Sequence, residues 1–460
     1  MLRVFNIFMP LTLFVLLALD AVVLGASLLV GATACGDDCT ILPPGKDPFA
    51  ATTLYILFFM TALFAMGLYQ QRFLREMREV TGRLVVSLLL ATGALMVTCA
   101  LLGMACIADD VLAPSVGVSF VGLALVRSPL SFRGSHRPAR NRILVLGTGL
   151  RAHAIEHAED TLRPPRFRCA GFVPLEDGPV QLPPHRLVRC DDLLAVCRSQ
   201  EVSEVVVAFD RRQTRVPRSL LLDFRLRGIR VVEASVFIER ELKQVEIDAA
   251  YPEWVIYSNG STLEPLSMAA KRAFDVGVSL IMLVATLPVM ALTALAIWLE
   301  DGRPVFYVQE RVGQHGRVFR LLKFRSMRAD AEKDGVARWA AQGDSRVTRV
   351  GRFIRTTRID ELPQVINVLR GEMSFVGPRP ERPALAEQLE KEIPSYHIRH
   401  LVKPGITGWA QVSYTYGASI EDAREKQKFD LYYIKNYSPL FDLAILLQTV
   451  RVVLWPQGVR

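Results

Sequence analysis

Asp360 and Glu361 stand side by side in a C-terminal stretch dense in Arg, Lys, Gly and Pro. Arg355 and Arg358 precede them, Lys323 and Arg325 lie upstream in Lys323-Phe324-Arg325, and Arg379 lies downstream between Pro378 and Pro380. Guanidinium groups hold phosphate oxygens bidentately, and rigid Pro-Arg-Pro and glycine turns fix the backbone that presents them. An Asp-Glu pair alone is usually a helix cap or a solvated acidic turn. Carboxylates set among phosphate-binding cations imply phosphoryl chemistry.

The neighbouring residues say what must position this pair. Pro363 suits the first turn of a helix and Gly371 its end, so a helix is expected between them. Asp360 and Glu361 then stand at its N-terminal approach, where the helix dipole favours anions and keeps a carboxylate ionised. Further upstream, Phe274 to Leu299 is apolar and long enough to span a bilayer, with Pro288 at its middle. Broken there, it leaves halves of about 14 and 12 residues, each too short to cross alone. Lys271 and Arg272 lie before it, and Arg303, Arg311, Arg317 and Lys323 after it. Two basic flanks imply a re-entrant hairpin, at about residues 268–300, entering and leaving by the cytoplasmic face. The alternative is a fifth spanning helix kinked at Pro288.

At 460 residues the chain is too long for one ordinary domain, and its 51% hydrophobic content is concentrated in long blocks, the membrane signature. Four blocks precede residue 130: Val4 to Ala32, Ala50 to Tyr69, Leu84 to Met104 and Ile107 to Val126. Arg72, Arg75, Arg78 and Arg83 follow the second, and Arg127, Arg133, Arg137, Arg140 and Arg142 follow the fourth. Gly36, Asp37, Asp38, Asp109 and Asp110 mark the opposite side, so the N-terminus and everything after residue 127 are expected in the cytoplasm. Ala32-Thr33-Ala34 resembles a signal cleavage site, but the first apolar run far exceeds a signal core of about 7–15 residues. Asp20, inside this span, is expensive in lipid and is expected to face a neighbouring helix.

From Asn141 to about Tyr257 short β-branched runs alternate with charged stretches. Arg142 to Leu146, Cys169 to Val173, Glu204 to Phe209 and Gly228 to Glu233 read as buried strands, with helices around Asp191 to Ser199 and Arg218 to Arg227. Strand, Gly147-Thr148-Gly149 turn and helix form a doubly wound α/β unit. A dinucleotide site also wants an acidic residue closing the second strand, where this chain has Gly171-Phe172-Val173-Pro174, so a structural or regulatory role is expected. Cys35 and Cys39 suit either a short-loop disulfide or free thiols. No Cys/His set has zinc spacing, and the net charge of +9 fits an anionic membrane and anionic substrates. No helix-turn-helix, RNP or finger pattern points to nucleic acid.

Ordered motifs over the last 190 or so residues resemble one family. They run from Lys271 to Asp275, Pro304 to Gly313, Lys323 to Met327, Asp360 to Gln364, Asn367 to Met373, Ser374 to Glu381, Lys403 to Gln411 and Asp430 to Ile434. The family is the bacterial sugar transferases of the monotopic polyprenol-phosphate phosphoglycosyl transferase superfamily, and the four spans with the α/β unit look like its large form, typified by the initiating transferases of exopolysaccharide, capsule and O-antigen assembly. Ile359 and Glu372 depart conservatively from its usual Leu and Asp. The resemblance implies a UDP-sugar donor, an undecaprenyl (polyprenyl) phosphate acceptor and Mg2+. By it Asp360 is the nucleophile, Glu361 the Mg2+ ligand, Lys323 and Arg355 stabilise phosphate charge, and Arg379 holds the nucleotide.

The fold class expected is therefore an α-helical membrane protein with a doubly wound α/β cytoplasmic domain and a mainly helical membrane-associated catalytic domain carrying the hairpin. The domains are four transmembrane helices in 1–130, the α/β domain in 141–257 and the transferase domain in 266–460, at the cytoplasmic face of the bacterial inner membrane. Two competing readings are a membrane-bound nucleotide-sugar dehydratase or epimerase and a non-catalytic regulator of polysaccharide export. The first normally shows a Tyr with a Lys four residues on, and no tyrosine here has one. The sugar is not legible, and a homodimer through the spans or the α/β unit is one open arrangement.

Overall fold

Apolar runs of twenty or more residues satisfy their own backbone only as helices once water is excluded. The computed structural model describes residues 2–4, 7–9, 11–35, 48–69, 77–102, 107–134, 141–161, 166–174, 182–189, 192–210, 218–247, 265–328, 346–414, 417 and 419–454. The chain divides into two units, Met1–Leu242 and Lys243–Arg460.

The first unit opens with a short antiparallel pair, β1 (Leu2–Val4) and β2 (Ile7–Met9), followed by helices α1 (Leu11–Cys35), α2 (Pro48–Ala65), α3 (Met77–Leu102) and α4 (Asp109–Gly134). The first helix thus begins at Leu11 and not Val4, after the proline at position 10. Helices α1, α3 and α4 are long and apolar enough to cross a membrane, whereas α2, at 18 residues, is shorter. Leu24, Leu28, Tyr55, Phe59, Leu84, Leu88 and Leu123 bury a common core, while Val22, Leu29, Leu89 and Leu125 point outward, the apolar-out pattern of a bundle solvated by lipid. Asp20 faces α4 as expected: Arg127 donates from Nη1 and Nη2 to its two oxygens at 3.0 and 2.7 Å, both side chains fully buried. The expectations for Gly36, Asp37, Asp38, Cys39, Arg72, Arg75, Arg137 and Arg140 and for residues 248–257 lie outside the described residues, as does the side chain of Cys35.

Strands β3 (Asn141–Leu146), β4 (Phe167–Val173), β5 (Glu204–Val207) and β6 (Arg230–Glu233) form a parallel sheet in the order β4-β3-β5-β6. Alternation along β3 sends Ile143 and Val145 to one face, with α5 (Leu150–Thr161) and α8 (Ala234–Leu242). It sends Leu144 and Leu146 to the other, with α6 (Leu193–Ser199) and α7 (Arg218–Leu226). Helices on both faces of a parallel sheet make the doubly wound unit.

The second unit carries α9 (Pro265–Asp301), the hairpin β7 (Phe306–Val312) and β8 (Val318–Phe324), α10 (Arg349–Thr356) and α11 (Gln364–Arg370). Strand β9 (Ser374–Val376), α12 (Pro383–Glu392), β10 (Gly405–Thr407) parallel to β9, α13 (Trp409–Ser413), α14 (Ile420–Lys435) and α15 (Pro439–Leu454) complete it. Helix α9 is also long and apolar enough to cross a membrane. It runs through Pro288 without a non-helical residue, where the sequence predicts two halves separated there. A proline removes only one amide donor, and membrane helices tolerate the loss; hydroxyls of Thr286 and Thr293 donate to the carbonyls of Met282 and Val289 nearby. Both ends of α9 are fastened within this unit. Lys271 bonds Asp442 at 2.5 Å, Arg272 donates to the carbonyls of Val368 and Leu369, and Asp275 accepts from Ser374 and Phe375. At the other end Glu300 accepts from the amides of Arg349 and Val350.

Candidate active site

The carboxylate pair is placed by three short elements locked together by side chains. Asn367 of α11 donates to the carbonyl of Arg320 at 2.8 Å and accepts from the amide of Leu322 at 3.0 Å, fixing β8 beside the helix. Thr348 caps α10 by accepting from the Gly351 amide. Arg358, in the left-handed region at φ 60°, turns the chain from α10 into a 3-10 turn, Ile359–Glu361, that delivers the pair. A non-glycine residue there is strained, a feature that clusters at functional sites. Pro363 and Gly371 bound α11 as expected, Gly371 in the left-handed region at φ 82°.

Three cations from separate segments converge on one oxygen. Glu361 Oε1 receives Lys323 Nζ at 3.0 Å and Arg379 Nη2 at 3.1 Å, with Arg358 Nη1 at 3.6 Å. Burial works to raise the Glu361 carboxyl, but Arg379, Lys323 and Arg358 overcome it and hold the group far below the usual carboxylate range. Asp360 is different. It is 9% exposed, and its Oδ1 is buried without a hydrogen-bond partner. Burial first, then the Glu361 charge, push its carboxyl up, against opposition from Lys323, Arg358 and Arg355. Helix α11 begins at Gln364, so the dipole expected to favour the Asp360 anion is opposed by desolvation. The pair is thus divided into a permanent anion and a more basic carboxylate with a free, desolvated oxygen.

Of the other expected site residues, Arg355 acts on Asp360 through its charge. Arg325 does not join the group. Strand β8 ends at Phe324, so the alternation that would align Arg325 with Lys323 stops. Its guanidinium instead donates to the carbonyls of Asp301 and Gly302 at 2.8 and 3.0 Å, capping α9. Arg311, not among the expected site residues, donates to the carbonyl of Pro380 and so holds the Arg379 loop; its one sequence signal is its place in the Pro304 to Gly313 motif.

For Mg2+, the residues present fit a site made of one or two carboxylates completed by substrate oxygens. The ion pairs of Glu361 with Lys323, Arg358 and Arg379 all run through Oε1, and Asp360 Oδ1 is unpartnered. Among the described residues no cluster of three or more His, Cys, Asp or Glu could hold a metal without a substrate.

The glycine turn of the α/β unit has a resident anion of its own. Asp210, just after β5, accepts from the amides of Leu150 and Arg151 at 2.6 and 3.0 Å, at the N-terminus of α5. A Cβ on Gly149 would lie 2.1 Å from Asp210 Oδ2, so this glycine is explained by the carboxylate. That position is where a dinucleotide pyrophosphate would sit.

Residues 266–456 match the model of the family described as bacterial sugar transferase. A UDP-N-acetylgalactosamine-undecaprenyl-phosphate N-acetylgalactosaminephosphotransferase of Aeromonas hydrophila is 48% identical over 202 residues, 44% of this chain and 48% of that protein. An undecaprenyl-phosphate glucose phosphotransferase of Komagataeibacter xylinus is 34% identical over 343 residues, 72% of this chain and 62% of that protein. A putative undecaprenyl-phosphate N-acetylgalactosaminyl 1-phosphate transferase of Bacillus subtilis is 54% identical over 132 residues, 29% of this chain and 73% of that protein. The chain thus spans 48% and 62% of the first two relatives.

Proposed function

The chain belongs to the bacterial sugar transferase family, and on that premise we propose that it transfers a sugar 1-phosphate from a UDP-sugar to undecaprenyl phosphate at the cytoplasmic face of the inner membrane. The observation that carries this reading is the unpartnered, buried Oδ1 of Asp360 beside an anion gripped by three cations. Asp360 attacks the sugar-bearing phosphorus; the bond from that phosphorus to the bridging oxygen breaks and UMP leaves with the electron pair. Undecaprenyl phosphate then attacks the same phosphorus, the Asp360–phosphorus bond breaks, and the carboxylate is restored. Splitting the reaction spares the enzyme from holding two mutually repelling anions at once.

Lys323 and Arg358 compensate phosphate charge as it shifts onto the leaving oxygen, and Arg379 holds the nucleotide's phosphate. Mg2+, held by Glu361 and substrate oxygens, supplies further charge neutralisation when bound. Helix α9 enters and leaves the bilayer by one face, bent within the helix around Pro288. A straight helix would separate Lys271 from Glu300 by about 44 Å, whereas Arg272 docks on α11 and the Asp301 carbonyl accepts from Arg325, one residue beyond β8, the strand that Asn367 ties to α11. The donor is a UDP-hexose or its N-acetylated form, following the relatives' names.

Purified protein incubated with Mg2+, undecaprenyl phosphate and UDP-glucose, UDP-galactose or UDP-N-acetylgalactosamine is expected to release UMP from one of them. Absence of UMP with every sugar, from protein shown to be folded, would favour a non-catalytic role in polysaccharide export.

A further inference from the structure

Four consecutive carbonyls of the loop that carries Arg379 are held by donors from three parts of the second unit: β10, the 3-10 helix Tyr396–Leu401 and the end of β7. Gly405 N donates to Pro378 O at 2.9 Å, Arg399 Nη2 to Arg379 O at 3.0 Å, Arg311 Nη1 to Pro380 O at 2.9 Å and Val312 N to Glu381 O at 2.9 Å. Pro378 and Pro380 carry no amide donor. The backbone under Arg379 is therefore fixed from outside, and Arg399 grips it at the residue itself. Arg399 lies in the 3-10 helix Tyr396–Leu401, is buried, and also donates to Asp430 Oδ2 on α14 at 2.8 Å and to the Tyr396 hydroxyl. Asp430 opens the Asp430-Leu-Tyr-Tyr-Ile434 motif.

We propose that Arg399 and Asp430 are positioning residues that set Arg379 for the UDP-sugar, and that the charge on Asp430 switches this hold. The inference rests on the transferase reading. A buried guanidinium without its counter-ion is costly, so a neutral Asp430 loosens Arg399 and with it the Arg379 carbonyl. The charged and titratable groups facing Asp430 are Arg399 and Tyr396 from the 3-10 helix, Glu381 from the Arg379 loop and Lys426 on its own helix. Burial raises the Asp430 carboxyl to about 6, with Arg399 opposing and Glu381 adding to the rise. Asp430 is then ionised at neutral pH and loses its charge as the pH falls through about 6.

The test is the pH profile of UMP release for the parent and for Asp430→Asn. The parent is expected to lose kcat/KM for the UDP-sugar below about pH 6. Asp430→Asn, neutral at every pH, is expected to show at pH 8 the KM for the UDP-sugar that the parent shows at pH 5. Its KM for the UDP-sugar rises roughly tenfold, kcat stays within about threefold, and the KM for undecaprenyl phosphate is unchanged; Asp430→Glu recovers part of the loss. An Asp430→Asn variant whose KM for the UDP-sugar keeps the parent's rise at acid pH, or that loses kcat with KM intact, overturns the proposal. Should that variant fail to elute as folded protein, the parent decides: a kcat/KM flat from pH 5 to 8 overturns it. A folded parent that releases no UMP overturns this inference together with the transferase reading, whereas a parent active with a flat profile overturns this inference alone.

Discussion

Replacing Lys323 by Met keeps the length and apolar stem of the side chain and removes its charge. Lys323 Nζ sits 3.0 Å from Glu361 Oε1, and both side chains are largely buried. A charge-assisted hydrogen bond of this kind contributes about 1.5–3 kcal/mol, and removing one donor aimed at developing charge costs about 2.7–4 kcal/mol, or ~100- to 1,000-fold in kcat. Arg379 and Arg358 remain on Glu361, so that carboxylate stays ionised and the loss falls on chemistry. Lys323 is also the largest cationic influence opposing the raised Asp360 carboxyl. Because a raised acid loses its reactive anion as pH falls through its pKa, the acid limb of kcat moves to higher pH in Lys323→Met. The assay is UMP release in detergent or nanodiscs from pH 5 to 9. A kcat within about threefold of the parent, with an unmoved acid limb, would refute the reasoning.

Asp360→Asn is expected to abolish turnover yet raise thermal stability at pH 8 by a few degrees (~1 kcal/mol), because a desolvated carboxylate is removed. The sign follows from its raised pKa: the native state binds the proton more tightly than the unfolded chain, so the gain shrinks as the pH falls through the raised pKa toward the carboxyl's ordinary value, and scanning calorimetry at pH 4 should show little of it. Arg325→Gln should lower thermal stability through the exposed end of α9 while leaving the KM for the UDP-sugar within about twofold; a large KM change would return Arg325 to the site. Breaking the buried pair with Asp20→Asn should destabilise by about 3–5 kcal/mol, and Asp20→Leu combined with Arg127→Met should recover most of it in a detergent unfolding assay. A double variant no better than the single would contradict that.

The α/β strands were legible almost to the residue because buried parallel strands are written as continuous β-branched runs: Arg142 to Leu146 was expected and Asn141–Leu146 is found. The limits of α11 were legible from Pro363 and Gly371, whose backbone preferences act locally. The site was legible as composition but not as geometry. Lys323, Arg358 and Arg379 converge on a single oxygen only through the tertiary fold, and Arg325, two residues from Lys323, turns away where β8 ends. The raised carboxyl of Asp360 depends on burial, which no local pattern encodes. Asp210 filling the glycine turn lies 61 residues beyond Gly149, a contact that needs the sheet order to be seen.

The central claim is that Asp360 itself carries the phosphosugar. The most direct measurement withholds the acceptor: folded enzyme, Mg2+ and the productive UDP-sugar alone, with UMP quantified and the peptides examined by mass spectrometry. A burst approaching one UMP per enzyme, with a sugar-phosphate adduct on the peptide containing Asp360, is the expected result. UMP formed only when undecaprenyl phosphate is present, with that peptide unmodified, would contradict it.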